Sequence, residues 1–322
     1  MLTEVLDAPG SLFRRAVRVS ARKSKREAIL LSVRRLSHVV LETPDVQREV
    51  EHYERVIGLI ELGRDGSTVH LGMPLGALAI TIQKGPHARP RRVVCKIDSD
   101  TDLSSAARTL RDHGVSSEVK NSPYPGIAST LSFQGPDDLV VDLFSSAESQ
   151  QRRSGSENPI KLGHAAFCTQ SLNATVSFYK KVLGFRFSDS IEDLFVWLRC
   201  NSDHHTLNFL SGKRAGLHHL AFEFLDRTRL LDACEVLGSH DIDIAYGPAR
   251  AGPGHNLHVY HRAPDGYLIE FFAELDQMSD EESGCFDPRP WHRDKPQRPK
   301  VWKREGDRLA IWGAPPPADF LE

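Results

Sequence analysis

The sequence predicts an α+β protein of two tandem domains, and three observations lead to this prediction: an internal repeat, the order of strand and helix patterns, and the composition. LSHVVLETPDVQREVEHYERVIGL at 36–59 aligns without a gap on LGHAAFCTQSLNATVSFYKKVLGF at 162–185. Each copy reads as a strand, a polar turn and a helix that ends at a glycine, Gly58 or Gly184. With 322 residues, of which 40% are apolar, the chain is long enough to bury a large core.

Each copy continues with a second unit of the same kind. RRVVCKI precedes a helical stretch at 102–113, as HHLAFEF precedes one near 227–237, and PDDLVVDLF corresponds to PDGYLIEFF. These patterns predict domains at 33–147 and 160–275, joined by a polar linker. A basic N-terminal arm, 1–32, precedes the domains, and a tail rich in Pro and Trp, 276–322, follows them.

Charge and cysteine content exclude several classes of partner. The chain has 41 basic and 43 acidic residues and a net charge of -2, so it lacks the overall basic field that nucleic-acid binding usually needs. Its five cysteines lack CxxC spacing, which is typical of reduced thiols rather than of disulfides or a zinc site. No apolar run approaches the roughly 20 residues that span a bilayer. We therefore expect a cytoplasmic protein that binds neither nucleic acid nor membrane.

The repeat lets the first domain serve as an internal control for the second. It pairs three polar positions: His38 with His164, Arg92 with His219, and Asp142 with Glu270. Two imidazoles and one carboxylate from three strands form the facial triad that holds non-haem Fe(II), or Mn(II), with three coordination positions open. An arginine would repel a cation, so we expect metal in the second domain only.

The segments LGHAAF, GLHHLAFE and PDGYLIEFF resemble the extradiol catechol dioxygenases of the vicinal oxygen chelate superfamily, nearest the homoprotocatechuate 2,3-dioxygenase branch. The resemblance runs from about residue 33 to the end. It implies four βαβββ modules, paired into two half-closed barrels with the metal inside the C-terminal one. It also implies that His219 is the ligand of the HH pair and His218 its structural neighbour.

The resemblance implies an activity as well. Such an enzyme inserts both atoms of O₂ into a substituted catechol beside its diol and yields a muconic semialdehyde. Its family members are homo-oligomers, with a tetramer favoured. The net charge of +1 on Fe(II) with two neutral ligands and one carboxylate favours binding of a catecholate monoanion before oxygen.

Further catalytic residues follow from the same resemblance. CNSDHHTLNF resembles the segment with the acid-base histidine, which gives His205, and Tyr260 stands ten residues before Glu270, where the family keeps a tyrosine beside the substrate. Where a second-shell histidine is common, this chain has Ala251, and either His255 or His258 is a candidate substitute.

The tail offers a hypothesis about the substrate. Its Pro and Trp residues indicate a segment pinned over a surface, either over the mouth of the active site or between subunits. Arg293 and Arg298 are candidates for pairing with a carboxylate on the catechol side chain, as in 3,4-dihydroxyphenylacetate. An uncharged alkyl- or aryl-catechol is the competing substrate.

Three other classes of function stay open on the sequence alone, and the first is an inactive structural paralogue, because Ala251 stands where the family commonly has a histidine. A glyoxalase-like isomerase or lyase of the same superfamily uses an additional acidic ligand, which nothing beside Glu270 supplies. A metal-free binding protein of the same superfamily has no need of all three proposed ligands. Ring-opened product and metal content separate these alternatives from a dioxygenase.

Overall fold

One strand order occurs twice in the chain. The computed structural model describes residues 31–74, 76–148, 159–287, 297–305 and 310–321. Residues 33–144 contribute an eight-stranded sheet, and residues from 161 onward contribute a ten-stranded sheet whose eight central strands repeat the order of the first. Among the described residues, no helix has the length and apolar character that crossing a bilayer requires.

The first half forms one mixed sheet with two helices. Its elements are β1 (Val33–Thr43), α1 (Val46–His52), β2 (Ile60–Asp65), β3 (Thr68–Gly72), β4 (Leu78–Lys84), β5 (Arg89–Ile97), α2 (Leu103–Asp112), β6 (Ser117–Tyr124), β7 (Ile127–Gln134) and β8 (Val140–Phe144). The strand order is β2-β3-β4-β1-β5-β8-β7-β6. Short helical turns, Tyr53–Ile57 after α1 and Pro136–Asp138 before β8, complete this half.

The second half repeats this plan. Its elements are β9 (Lys161–Thr169), α3 (Leu172–Leu183), β10 (Arg186–Ile191), β11 (Phe195–Arg199), β12 (Leu207–Ser211), β13 (Gly216–Glu223), α4 (Arg227–Ser239), β14 (Tyr246–Ala251), β15 (Leu257–Arg262) and β16 (Leu268–Ala273). The strand order is β10-β11-β12-β9-β13-β16-β15-β14. The predicted helices at 102–113 and 227–237 correspond to α2 and α4.

The tail covers both edges of the second sheet. After a separate hairpin, β17 (Gln277–Asp280) and β18 (Cys285–Asp287), the strand β19 (Lys300–Trp302) pairs with β10, and β20 (Ala310–Trp312) pairs with β14. An uncovered edge strand leaves a row of unpaired backbone groups. The two short tail strands therefore provide hydrogen-bond partners for backbone groups of β10 and β14, the outer strands of the repeated plan.

Both repeat helices end on a left-handed glycine, as the sequence predicts. Gly58 has φ 84° and Gly184 has φ 72°, and each donates its backbone N–H to the carbonyl of the repeat tyrosine, Tyr53 or Tyr179. The first helix differs in that its last turn, Tyr53–Ile57, is π-helical. Because only glycine adopts this backbone region without strain, the two caps fix the point at which the chain turns into the next strand.

A bulge interrupts the central strand pair of each half at the same place. In β13 the residues Leu217 and His219 pair with consecutive residues of β9, so His218 is the extra residue of the ladder. In β5 the equivalent Arg91 is skipped in the pairing with β1. A bulge re-aims the side chains around it. It therefore explains how two consecutive histidines of one strand lie side by side.

The two halves dock on each other reciprocally. The backbone N–H of Asp265, in the turn before β16, donates to the Glu49 side chain of α1 at 2.7 Å. In the other direction, the hydroxyls of Thr169 and Thr175 donate to the carboxylate of Asp137, in the turn before β8. Each half thus holds the strand-to-strand turn of the other with its own first helix.

A buried histidine pair, His52 and His261, adds to this contact, with 3.1 Å between their Nε2 atoms. Burial lowers the pKa of His52 to about 4 and that of His261 to about 3. Between about pH 6.5 and pH 4 the two histidines bind protons in the unfolded chain but not in the folded chain. The free energy of unfolding therefore falls as the pH drops from about 6.5 towards 4. Glu49 has the opposite effect on the free energy of unfolding at low pH, because burial raises its pKa to about 7 and the folded chain therefore binds this proton more readily than the unfolded chain.

We expect the double variant His52→Leu/His261→Leu to lose less thermal stability on acidification than the wild type. The reason is that each pKa unit of difference is worth about 1.4 kcal/mol, and the variant no longer contains these two groups. The measurement is Tm by calorimetry at pH 7 and pH 4.5. His113→Leu, at an exposed position, is the control and keeps the wild-type drop. An unchanged drop in the double variant would contradict the assignment.

Candidate metal centre

Three adjacent strands bring the predicted ligands together. His164 lies on β9, His219 on β13 and Glu270 on β16, and these strands are neighbours in the sheet. The ligand atoms of the three side chains lie within 4.8 Å of one another. Glu270 Oε2 is 2.9 Å from His164 Nε2 and 3.4 Å from His219 Nε2. The cluster has the composition of the facial triad that the sequence predicts.

The surroundings suit a cation. Burial, followed by the neighbouring His218 and His164, holds the pKa of His219 well below its usual range, so its imidazole is neutral at pH 7. Burial opposes ionisation of Glu270, but the interactions with His164, His258 and Tyr260 outweigh it, and the pKa lies below its ordinary value. His219 Nε2 is buried without a hydrogen-bond partner among the described atoms. A divalent ion at this point satisfies that nitrogen and neutralises the carboxylate.

Asn256, which no sequence motif marks as a site residue, orients the carboxylate. Its Nδ2 donates to Glu270 Oε1 at 2.8 Å, and both side chains are buried. This bond leaves Oε2 directed at the two imidazoles. The residue lies in GPGHNLHVY, between the two candidate histidines His255 and His258. An amide was a weaker signal there, because only its hydrogen bond to Glu270 marks it as part of the site.

The cluster faces a cavity of about 70 Å³. Three of the four residues that the resemblance assigned to catalysis line this cavity: His205, Tyr260 and His258. Ala251, at the position of the usual second-shell histidine, also lines it. The tail contributes Pro316, Phe320 and Leu321 to the wall, so its last part lies over the cavity, in agreement with the first of the two predictions for this segment.

His205 lies against the cluster. Its ring centroid is 4.2 Å from that of His164, and its Nδ1 is 2.9 Å from Nδ1 of His204. Burial, and then the neighbouring His164, His204 and His219, hold its pKa well below the usual range. His205 is therefore neutral at pH 7, and a neutral imidazole is the form that can accept a proton.

Tyr260 and His258 form the opposite wall. Tyr260 packs edge-on to His219 at 5.5 Å, and burial, followed by Glu270, raises its pKa far above the ordinary value, so its hydroxyl keeps its proton. Burial lowers the pKa of His258 to about 4. Its ring lies 4.7 Å from that of Tyr246. The cavity thus presents a neutral imidazole and a protonated phenol.

His255 lies outside the described lining of the cavity. Its Nδ1 is 2.6 Å from Asp276 Oδ2, so the imidazole faces the start of the tail. Of the two candidates for the place of the missing second-shell histidine, the structure thus brings only His258 to the cavity. His255 has a left-handed backbone, with φ 51°, and precedes the strand that carries His258.

The first half fills the equivalent place with its own cation. Arg92 Nη1 lies 3.1 Å from both Asp142 Oδ1 and Ser132 Oγ, and the Tyr124 hydroxyl donates to Asp142 Oδ2 at 2.6 Å. The guanidinium neutralises the carboxylate that Glu270 matches in the second half. Within the described residues, the only cluster able to hold a metal ion is that of the second half.

Relatives of known activity match most of the chain. The iron-dependent extradiol dioxygenase of Rhodococcus jostii strain RHA1 is 26% identical over 291 residues, covering 78% of this chain and 92% of that protein. The manganese-dependent 2,3-dihydroxybiphenyl 1,2-dioxygenase of Geobacillus genomosp. 3 is 21% identical over 297 residues, with 84% and 93% covered.

Solved structures share the fold. Homoprotocatechuate 2,3-dioxygenase from Arthrobacter globiformis superposes with a TM-score of 0.77 at 19% identity, covering 90% of this chain and 91% of that one. The Mn(II)-bound glyoxalase from Novosphingobium aromaticivorans gives 0.77 at 24% identity, with 88% and 91% covered. These likenesses confirm the predicted fold class.

The sequence of the second half matches a family directly. Residues 161–271 match the family described as the glyoxalase/bleomycin resistance protein/dioxygenase superfamily. This range contains all three residues of the cluster. The chain therefore has the vicinal oxygen chelate fold, and its second half carries a domain of the glyoxalase/bleomycin resistance protein/dioxygenase superfamily.

Proposed function

We propose that the chain is an extradiol ring-cleaving dioxygenase that inserts both atoms of O₂ into a substituted catechol beside its diol. The observation that carries the proposal is the cluster of His164, His219 and Glu270 at the end of a cavity that His205 and Tyr260 also line. Relatives named as iron- and manganese-dependent dioxygenases along most of the chain support this reaction and support Fe(II), with Mn(II) as the alternative ion. A homotetramer in the cytoplasm stays a prediction.

The residues around the cavity have different roles in the proposed reaction. His164, His219 and Glu270 would hold an Fe(II) or Mn(II) ion, which would supply the Lewis-acid and redox chemistry that the reaction of a catechol with O₂ requires. His205 accepts the proton of the catechol hydroxyl and returns a proton later in the reaction. The Tyr260 hydroxyl, which stays protonated, donates a hydrogen bond to a substrate oxygen. The tail residue Phe320 forms part of the cavity wall and reduces the access of water to it.

A glyoxalase-like reaction needs a different donor set. An additional acidic ligand would have to join Glu270, and in the described part of the chain the metal-ligating group consists of His164, His219 and Glu270 alone. The arrangement of two imidazoles and one carboxylate therefore favours the dioxygenase. Yellow ring-opened product from a catechol distinguishes the two reactions.

The cavity wall bears on the substituent of the catechol. The described lining contains neither Lys nor Arg. Its large apolar side chains are Ile191, Phe195, Trp197, Phe320 and Leu321. Arg298 is exposed and is not part of the wall, and Arg293 lies outside the described residues. A carboxylate on the substrate would be buried there without a partner, which costs free energy. We therefore propose an uncharged alkyl- or aryl-catechol as the substrate.

The metal assignment predicts that the purified chain binds about one Fe(II) or Mn(II) per molecule in its second half. His164→Gln should abolish stoichiometric binding, because one of three ligands is lost. His38→Gln, the matched change in the first half, should leave the metal content unchanged. The measurement is elemental analysis after dialysis against the metal. Equal metal content in both variants would refute the assignment.

The acid-base role of His205 predicts a variant that binds but turns over slowly. His205→Phe should keep wild-type metal content and catechol affinity and reduce kcat by roughly 10² or more, the usual size of a general acid-base contribution. Metal analysis, anaerobic catechol titration and O₂ uptake measure the three quantities. Loss of the metal would instead make His205 a ligand. Unchanged turnover would transfer the role to another group, with His258→Phe as the next variant.

The substrate assignment predicts a preference for the neutral ring. We expect kcat/KM for 4-methylcatechol to exceed that for 3,4-dihydroxyphenylacetate by about tenfold or more, equivalent to about 1.4 kcal/mol. Arg298→Ala should leave this ratio unchanged, because the side chain is exposed to solvent. If the acid is the better substrate and Arg298→Ala removes its advantage, the cavity has a carboxylate site after all.

A further inference from the structure

The two His–His pairs of the second half share one geometry. His218 Nδ1 lies 2.6 Å from His219 Nδ1, and His204 Nδ1 lies 2.9 Å from His205 Nδ1. In each pair the second histidine lines the cavity and the first does not. The first histidine directs its other nitrogen at an acceptor. For His218 Nε2 this acceptor is the backbone carbonyl of Phe320, at 2.6 Å.

The backbone carbonyl of Phe320 fixes the position of each proton in the hydrogen bonds that lead through His218 to His219. A carbonyl oxygen only accepts, so His218 carries its proton on Nε2 and, as a neutral ring, offers the lone pair of Nδ1. His219 must then donate from Nδ1, which leaves the lone pair on its Nε2. That nitrogen is the atom 3.4 Å from Glu270 Oε2. The hydrogen bonds from the tail to His219 thus select the neutral tautomer whose lone pair lies on Nε2, the nitrogen that faces Glu270.

We propose that His218 is a positioning residue that couples docking of the C-terminal segment, through Phe320, to the metal-binding tautomer and ring orientation of His219. The proposal rests on the metal site proposed above. It gives the first histidine of the HH pair a function beyond packing, although His218 touches neither the substrate cavity nor the other two ligands. It also explains the bulge at His218, because the extra residue brings both imidazoles to the same side of β13.

Docking of the segment is coupled to closure of the cavity. The Phe320 ring packs edge-on to Tyr260 at 5.0 Å and lies 5.2 Å from Tyr246, and it forms part of the cavity wall. Its carbonyl meanwhile accepts from His218. One residue therefore both covers the substrate and holds the hydrogen bond that orients the ligand. Closure and metal affinity should change together.

The second pair supplies a matched control. His204 Nε2 lies 3.4 Å from Asp189 Oδ2, and the same carboxylate accepts from the indole N–H of Trp302 at 2.7 Å. This first histidine is also buried and also linked to the tail, through β19. Its partner His205 is not one of the three proposed ligands. Replacing His204 therefore disturbs a similar pair without touching the metal.

The test measures Mn(II) affinity of the full-length chain by competition with a chelator. His218→Phe should weaken binding by roughly 10- to 100-fold, the usual effect of losing a partner that orients a ligand. His204→Phe should stay within about twofold of wild type. His218→Gln keeps one donor and one acceptor and should recover most of the affinity. Tm and circular dichroism of each variant verify that it is folded.

A truncation after Asp319 tests the link to the tail. Removing residues 320–322 should weaken Mn(II) binding in the wild-type background and have no further effect in His218→Phe, because both changes break the same chain of hydrogen bonds. The coupling is wrong if His218→Phe binds as tightly as wild type, if the truncation is neutral, or if the two effects multiply. If the wild-type chain takes up no Mn(II) or Fe(II), the proposed metal site itself fails.

Discussion

The buried carboxylate of Glu270 is the constraint on which the second half depends. A charge removed from water costs several kcal/mol unless positive or hydrogen-bonding partners surround it. Glu270 is 2% exposed, and Asn256 and His164 satisfy two of its directions at 2.8 and 2.9 Å. Tyr260 interacts with the carboxylate as well, and Oε2 lies 3.4 Å from the Nε2 of His219. A divalent cation at this point would neutralise the carboxylate and give His219 Nε2 a partner.

In the first half, the same scaffold neutralises its buried carboxylate without an external ion. There the equivalent carboxylate, Asp142, pairs with Arg92 and accepts from Tyr124, so its charge is neutralised within the chain. Two of the three matched positions differ, Arg92 against His219 and Asp142 against Glu270, and the exchange of the arginine removes the cation that neutralises the carboxylate in the first half. The duplication keeps the two sheets alike, and each half supplies the turn on which the other half's first helix docks.

The sequence predicted those parts of the site that depend on local pattern and on the repeat. The gapless alignment places His164, His219 and Glu270 at equivalent points of three strands, and strand topology then brings them together. The period of a strand does not reveal the bulge at His218, because the pattern alone assigns consecutive side chains to opposite faces. Nor does it reveal Asn256, whose role is defined by one hydrogen bond across the sheet.

The tail was the least predictable element, because its contacts span a hundred residues and carry no sequence period. Trp302 hydrogen-bonds to the carboxylate beside one histidine pair, and Phe320 accepts from the other pair. The tail strands β19 and β20 pair with the two edges of the sheet that carries the ligands. Closing the cavity also removes water that would compete for the imidazole and carboxylate groups, and hydrogen bonds are electrostatically stronger in the less polar interior that results. The segment that completes the sheet is thus the same segment that completes the chemical environment of the proposed metal ion.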